Sequence, residues 1–265
     1  MNIKSILCLA ALGWLVSACV PTKEMIYLQP AEGTSTEVFS YDREEYKLQM
    51  NDILDVQIKS MNQEVNQLFG SGNLMNQNMQ AGAQSGGDLY YMTGYTVDEQ
   101  GLVELPYLGS VKVQGLSLEE AKAAIDDQVA TLFKSYYLQV KLGGIRYSAL
   151  GEFQSPGKKV ILQNQATIFE AIAACGDLTQ VAKRDVVKLI RQYPDGTRIH
   201  TLNLLDQSII GSPYYFIQPN DVIYAEPLPQ KAWGIGVTGA QTFTTIISTL
   251  STSLALTLSI ISLTR

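Results

Sequence analysis

The sequence is poor in the residues from which metal centres and many active sites are built. Its 265 residues include one histidine, His200, and three cysteines, Cys8, Cys19 and Cys175. A histidine-rich metal centre is excluded. A four-ligand Cys/His zinc site would need every one of these residues, and Cys8 and Cys19 both fall at the extreme N-terminus. Basic residues are also in deficit: Lys plus Arg number 19 against 25 Asp plus Glu, a net charge of -6. That balance argues against the broad phosphate-binding surface that nucleic acid requires. Charged residues of both signs make up 17%, while 46% of positions are hydrophobic. Such a chain can bury one or two cores, so neither wholesale disorder nor fibrous structure fits. No metal, no cofactor and no nucleic-acid partner is expected.

What is present begins with an export signal. Lys4 precedes the apolar run Ile6 to Val16, which suits a signal-peptide core and is too short to span a bilayer. Val16-Ser17-Ala18-Cys19 then resembles the bacterial lipobox, in which the cysteine is diacylated and becomes the mature N-terminus. The expectation is a signal peptide over 1–18 and lipidation at Cys19. More than one acyl chain gives stable membrane anchoring. Cys8 would be discarded and the Cys19 sulfur consumed, leaving Cys175 without an intrachain partner. Val20 stands where an inner-membrane retention aspartate would be, which favours the outer membrane.

Residues 19–40 read as a linker between anchor and body. Alternation at Leu54, Val56 and Ile58 predicts a half-buried strand, with a turn at Asn51-Asp52 before it. Residues 63–87 are mostly Asn, Gln, Gly and Ser, which cannot bury enough apolar area to order themselves, so a mobile insert is expected. Short strands separated by turns at Gly101 and Gly109 follow. Ser117-Leu118-Glu119-Glu120 is a capping-box signature for a helix to about Phe133, with Leu118, Ala121, Ile125, Val129 and Leu132 on one stripe. From Tyr147 onward, strands are predicted at Tyr147–Leu150, Lys159–Leu162, Val186–Arg191, Arg198–Asn203 and Val222–Ala225. A helix over Ile168–Ala174 is expected to be capped by Thr167. The fold class is α+β.

The tail carries no charge from Ala232 to Thr264. As a helix this exceeds the ~30 Å of a hydrocarbon core. Phe243, Ile246, Ile247, Leu250, Leu254, Leu258 and Ile261 fall on one face, and Thr244, Thr245, Ser248, Thr252, Ala255, Ser259 and Ser262 on the other. A span surrounded by lipid is normally apolar all round, so a hydroxyl stripe asks for neighbours or water. An isolated anchor remains open, because Ser and Thr can bond back to the preceding turn. So does a strand, because Leu254, Leu256, Leu258 and Ile260 also alternate. Trp233 is placed either at the membrane interface or against the soluble body.

Taken in order, Tyr46, Leu48, Asp52, Leu54, Val56, Gly101, Pro106, Gly109, Val111, Val113, Gly115, Leu116 and Glu119 resemble the polysaccharide export domain of the Wza-type outer-membrane polysaccharide export lipoproteins. Asn51, Val103 and Ser117 replace that family's Gly, Ile and Thr. Leu150 to Gly157, Thr167 to Ile172, Cys175 to Leu178, Arg184 to Val186 and Gln218 to Ile223 are similar to a soluble-ligand-binding β-grasp (SLBB) domain. The resemblance implies an export domain over 41–143, an SLBB domain over 144–227 and an amphipathic transmembrane helix over 228–265. It implies a homo-oligomeric ring, an octamer in the family, through which capsular or exopolysaccharide leaves the periplasm, and docking to an inner-membrane polysaccharide co-polymerase or tyrosine kinase. Thr245, Ser248, Thr252, Ser259 and Ser262 are the candidates for the lumen face. Phe243, Ile247, Leu250, Leu254, Leu258 and Ile261 are the candidates for the lipid face. The chain departs from the family's best-known members in having one SLBB unit and the Asn/Gln/Gly-rich insert.

A catalytic role is disfavoured. Asp52 and Asp55 stand where turn-capping is expected, Cys175 sits at a helix end among alanines, and His200 lies in a strand without a link to it. No nucleophile elbow or phosphate loop is present. The rival to a channel is a non-porous envelope lipoprotein that binds oligosaccharide or scaffolds an assembly complex.

Overall fold

The structure, a computed structural model, describes residues 22–30, 38–40, 45–61, 91, 93–232 and 239–263. The signal segment and Cys19, the insert at 63–87 and Trp233 lie outside the described residues.

The first unit is built on β1 (Ile53–Lys59), the middle strand of an antiparallel three-stranded sheet between β2 (Tyr95–Thr96) and β5 (Tyr137–Leu142). Leu54, Val56 and Ile58 face the core as the alternation predicts, but Ile53 and Asp55 are buried too, so β1 is covered on both faces rather than half-buried. Its central position accounts for this, since Asp55 is paired opposite Lys141 of β5 and feels the neighbouring Tyr95 of β2. The hairpin β3 (Leu102–Leu105) to β4 (Gly109–Lys112) follows Gly101, whose φ of +76° is accessible to glycine at little cost. Helix α1 (Leu118–Leu132) begins with both halves of the capping box. The Ser117 hydroxyl accepts from the Glu120 N–H, and the Glu120 carboxylate accepts from the Ser117 N–H. Ala121, Ile125 and Val129 are buried against β4 and β5. Leu132, expected on the same stripe, is the helix's last residue and is 53% exposed.

The second unit is a five-stranded sheet in the order β10-β9-β12-β6-β7. Its strands are β6 (Ile145–Gly151), β7 (Gly157–Ile161), β9 (Ala182–Tyr193), β10 (Gly196–Leu202) and β12 (Val222–Pro227). Each predicted strand is present; β9 extends well beyond its predicted ends, and β7 begins and ends earlier than predicted. The β6–β12 pair is parallel and the others antiparallel. Short strands β8 (Ala166–Thr167) and β11 (Phe216–Ile217) pair beside helix α2 (Ile168–Ala174), which Thr167 and Glu170 cap reciprocally. The turn α3 (Pro229–Ala232) and the long helix α4 (Gly239–Leu263) close the chain. The fold is mixed α+β, with one apolar cluster running through both units.

Candidate functional site

Two turns with the same chemistry mark the middle strands of the two sheets. Gln49-Met50-Asn51-Asp52 leads into β1, and Gln218-Pro219-Asn220-Asp221 leads into β12. In each the asparagine is left-handed, at φ 70° for Asn51 and 66° for Asn220. Asparagine tolerates this region better than most residues, which explains why Asn51 can stand where the related family has glycine. In each the aspartate N–H donates to the glutamine carbonyl at 3.2 Å, and its carboxylate accepts the glutamine N–H, at 2.8 Å for Asp52 and 2.7 Å for Asp221. The repeated Gln-x-Asn-Asp string was visible in the sequence but only the structure gives it meaning.

The two carboxylates differ in what balances them. Asp221 takes a bidentate contact from Arg191, Nε at 3.0 Å and Nη2 at 2.7 Å, and both side chains are almost wholly buried. Burial alone would lower the Arg191 pKa, but the Asp221 carboxylate outweighs it and holds the guanidinium above its usual value. Asp52 accepts from the Tyr46 hydroxyl at 2.6 Å beside its turn, and its Oδ1 is buried without a hydrogen-bond partner among the described residues. Burial therefore pushes its pKa up to about 6, against the opposing pull of the Gln49 N–H, Tyr46 and the charge of Arg146. Arg146 also ties the turns together, since its carbonyl accepts the Asn220 N–H at 2.7 Å. Both aspartates thus serve as turn and seam residues. Asp55 bonds Gln57 at 3.0 Å on β1.

A second feature is where the chain enters and leaves the second unit. Residues 22–30, within the expected linker, are docked on it. Tyr27 donates to Asp177 at 2.6 Å, meets Phe169 edge-on at 5.8 Å and covers the Arg184 guanidinium at 5.3 Å. Leu28 N–H bonds the Leu204 carbonyl at 3.1 Å. Burial and the Asp177 carboxylate raise the Tyr27 pKa to about 12, so its hydroxyl stays protonated and donating. At the other end, Leu228 N–H bonds the Val181 carbonyl at 2.7 Å and Lys231 pairs with Glu152, which also accepts from Thr179. Asp177, Thr179 and Val181 belong to one short loop between α2 and β9. The segment leading from the N-terminus and the segment leading to α4 therefore leave from the same edge.

Helix α4 has 25 residues, a length of about 37 Å at 1.5 Å per residue, enough to cross a hydrocarbon core. Its stretch Thr244–Ser262 has a mean hydropathy of 1.6 and none of it is buried. The strand alternative is thereby set aside in favour of helix. Leu250, Leu254, Leu258 and Ile261 are exposed on one face, as is Ile247. Among the lumen candidates, Ser248 donates to the Thr245 carbonyl at 2.9 Å, Thr252 to the Ser248 and Thr249 carbonyls, and Ser262 to the Ser259 carbonyl. Thr249, Ser251, Ser253 and Thr257 bond back in the same way. These seven hydroxyls thus meet their needs within the helix, so they do not by themselves demand a partner. Nothing is described of the Phe243 side chain.

The remaining candidates have structural surroundings. Cys175 is free and fully buried beneath Tyr147, whose hydroxyl donates to the Ala171 carbonyl at 2.5 Å and lies 3.5 Å from the thiol. His200 stacks on Tyr214 with centroids 4.0 Å apart and meets the Tyr193 hydroxyl at 3.1 Å, so it shares no partner with Cys175. Among the described residues no three of His, Cys, Asp and Glu gather to hold a metal ion.

The described residues combine an α+β body with an exposed helix long and apolar enough to cross a membrane. Residues 40–143 match the family model described as polysaccharide biosynthesis/export protein. That stretch, which ends just past β5, is a polysaccharide export domain, consistent with the Wza-type export family. The match covers the first unit alone, and its description concerns the biosynthesis or export of polysaccharide.

Proposed function

We propose that this chain is the subunit of an oligomeric outer-membrane channel that exports capsular or exopolysaccharide from the periplasm. The observation that carries the reading is an exposed membrane-length helix joined to a polysaccharide export domain. Cys19 is lipidated, the bulk of the chain lies in the periplasm, and the second unit acts as an SLBB domain with a β-grasp core. The docking of Tyr27 and of Leu228 on one loop supports this, because it turns a single edge of the second unit toward the membrane. Copies form a closed ring, an octamer in the related family, and their α4 helices line the pore. Thr245, Ser248, Thr252, Ser259 and Ser262 face the lumen, while Phe243, Ile247, Leu250, Leu254, Leu258 and Ile261 face lipid. Hydroxyls already bonded to their own helix suit a conduit, because they offer a hydrated polymer weak, exchangeable contacts. The opposite end of the ring meets an inner-membrane co-polymerase or its tyrosine kinase. No catalytic step is assigned.

The self-bonded hydroxyls also support a second reading, in which α4 is an anchor and the protein a non-porous oligosaccharide-binding or scaffolding lipoprotein. One pair of experiments separates the two. Imaging of the full chain in mild detergent is expected to show closed rings with a helical membrane collar, and truncation before Gly239 is expected to abolish surface polymer. Monomers or dimers in every mild detergent, or continued export without α4, would reject the channel in favour of the scaffold.

A further inference from the structure

A cavity of about 410 Å³ opens at the seam of the two units, within the span of roughly 300–1,000 Å³ usual for small-molecule sites. Tyr46 and Leu142 of the first unit form one side. Asn164 and Gln165 between β7 and β8, Arg191 and Tyr193 of β9, and Arg198 of β10 form much of the other, together with Tyr214 and Phe216. Among the described residues the lining contains two arginines and no aspartate or glutamate, although the chain as a whole carries a charge of -6.

The wall is held in place from behind. Arg191 is fixed by Asp221, by the Phe216 carbonyl at 3.0 Å and over the Tyr214 ring at 5.9 Å. Arg198 lies over the Tyr193 ring at 4.5 Å. His200 braces both tyrosines, and burial with the charges of Arg191 and Arg198 lowers its pKa. Among the described residues Arg198 forms its ion pair with Asp195, three residues away and exposed, a contact worth little in water and readily exchanged for another anion. The side-chain amides of Asn164 and Gln165 have no hydrogen-bond partner among the described residues. Exchangeable guanidinium, free amides and an apolar floor from Phe216, Ile217 and the flanking prolines match the carboxylate, hydroxyls and C–H face of a sugar acid.

We propose that the seam cavity binds an acidic sugar, a short uronate-bearing segment, with Arg198 taking the carboxylate and Asn164 and Gln165 the ring hydroxyls. The choice of sugar over other organic anions rests on the export reading above. Because Tyr46 bonds Asp52 and Arg191 bonds Asp221, an occupied cavity touches both strand-leading turns and bridges the two units.

The test titrates the full chain in detergent micelles with a glucuronate-containing disaccharide, the matching neutral glucose disaccharide and inorganic phosphate, read by saturation-transfer NMR and calorimetry. The acidic disaccharide is expected to bind about tenfold more tightly than the neutral one and more tightly than phosphate. Arg198→Gln should remove that preference, and Asn164→Ala should weaken both sugars; both positions are exposed, so the variants should melt like the parent. Equal binding of acidic and neutral sugars, equal competition by phosphate, or no effect of Arg198→Gln would overturn the site. Export in cells is scored separately. Acidic-sugar binding by a chain on which export does not depend leaves the site standing and defeats the export reading; export that needs the chain, with no sugar binding, does the reverse.

Discussion

Gly151 ends β6 where it runs parallel to β12, directly beside Ala225. Its φ is +86°, and a Cβ added there would lie 2.1 Å from the Ala225 carbonyl oxygen and 3.0 Å from the Tyr224 ring. Replacing it with alanine therefore adds three costs. Left-handed backbone disfavours any L-residue by roughly 1–2 kcal/mol. The clash is with backbone, which cannot rotate aside, so β12 must withdraw and the Glu152 N–H to Ala225 carbonyl bond of 3.0 Å is lost, about another 1 kcal/mol. Strand displacement in a packed core adds a further ~1–3 kcal/mol, so Gly151→Ala should destabilise the body by about 3–6 kcal/mol in all. Gly109 supplies the control: its φ is +78° but nothing lies within 4 Å of its Cβ direction, so Gly109→Ala isolates the conformational cost. Denaturant unfolding of both variants, followed by circular dichroism, gives the comparison. Equal destabilisation of the two would refute the close approach of β6 and β12. The position also matters for function, since Glu152 next to it holds Lys231 at the start of the segment leading to α4.

Asp52, with a folded-state pKa near 6 against an ordinary 3.8, binds its proton more tightly folded than unfolded. Its contribution is thus present below about pH 4 and lost as pH rises through 6, a fall of about 3 kcal/mol. Midpoints of Asp52→Asn minus wild type, measured from pH 3.5 to 7.5, should climb across that window; a flat difference refutes it. Arg191→Met leaves Asp221 buried without its partner and should cost about 3–5 kcal/mol, whereas the double replacement Arg191→Met/Asp221→Leu should recover part of the loss; no recovery would show that the pair acts through something other than charge. In α4, Leu254→Arg puts a charge near the middle of the span and should lower membrane insertion by about 2.5–3.5 kcal/mol, while Thr252→Arg on the hydroxyl face should insert with less loss if that face meets a water-filled lumen. Fractionation of the two variants distinguishes the faces, and equal loss would argue against a pore.

Local chemistry was enough for the sequence to specify several elements. The reciprocal caps at Ser117 and Thr167 depend on residues three apart, and the apolar stripe of α1 on helical spacing, so both α1 and α2 were legible. The uncharged tail was legible as long enough to cross a membrane, but its pattern fitted helix and strand alike, and the structure decides for helix. The family resemblance of the first unit followed from motifs spread over one stretch, and the family match covers the same stretch. What the sequence could not state were contacts between residues far apart. The burial of both faces of β1 depends on the neighbours it acquires in the sheet. The docking of Tyr27 on Asp177, 150 positions away, turned part of an expected free linker into a fixed strap. The hydroxyls of α4 were open to two readings, and only backbone geometry put their carbonyl acceptors within 3 Å. The seam cavity belongs wholly to tertiary structure: Tyr46, Asn164, Arg198 and Tyr214 share no spacing or motif, and only the packing of two sheets brings them to one wall. Periodicity and capping act within a few residues and are written in the chain, whereas a binding surface is a sum over distant segments whose proximity is fixed by burial.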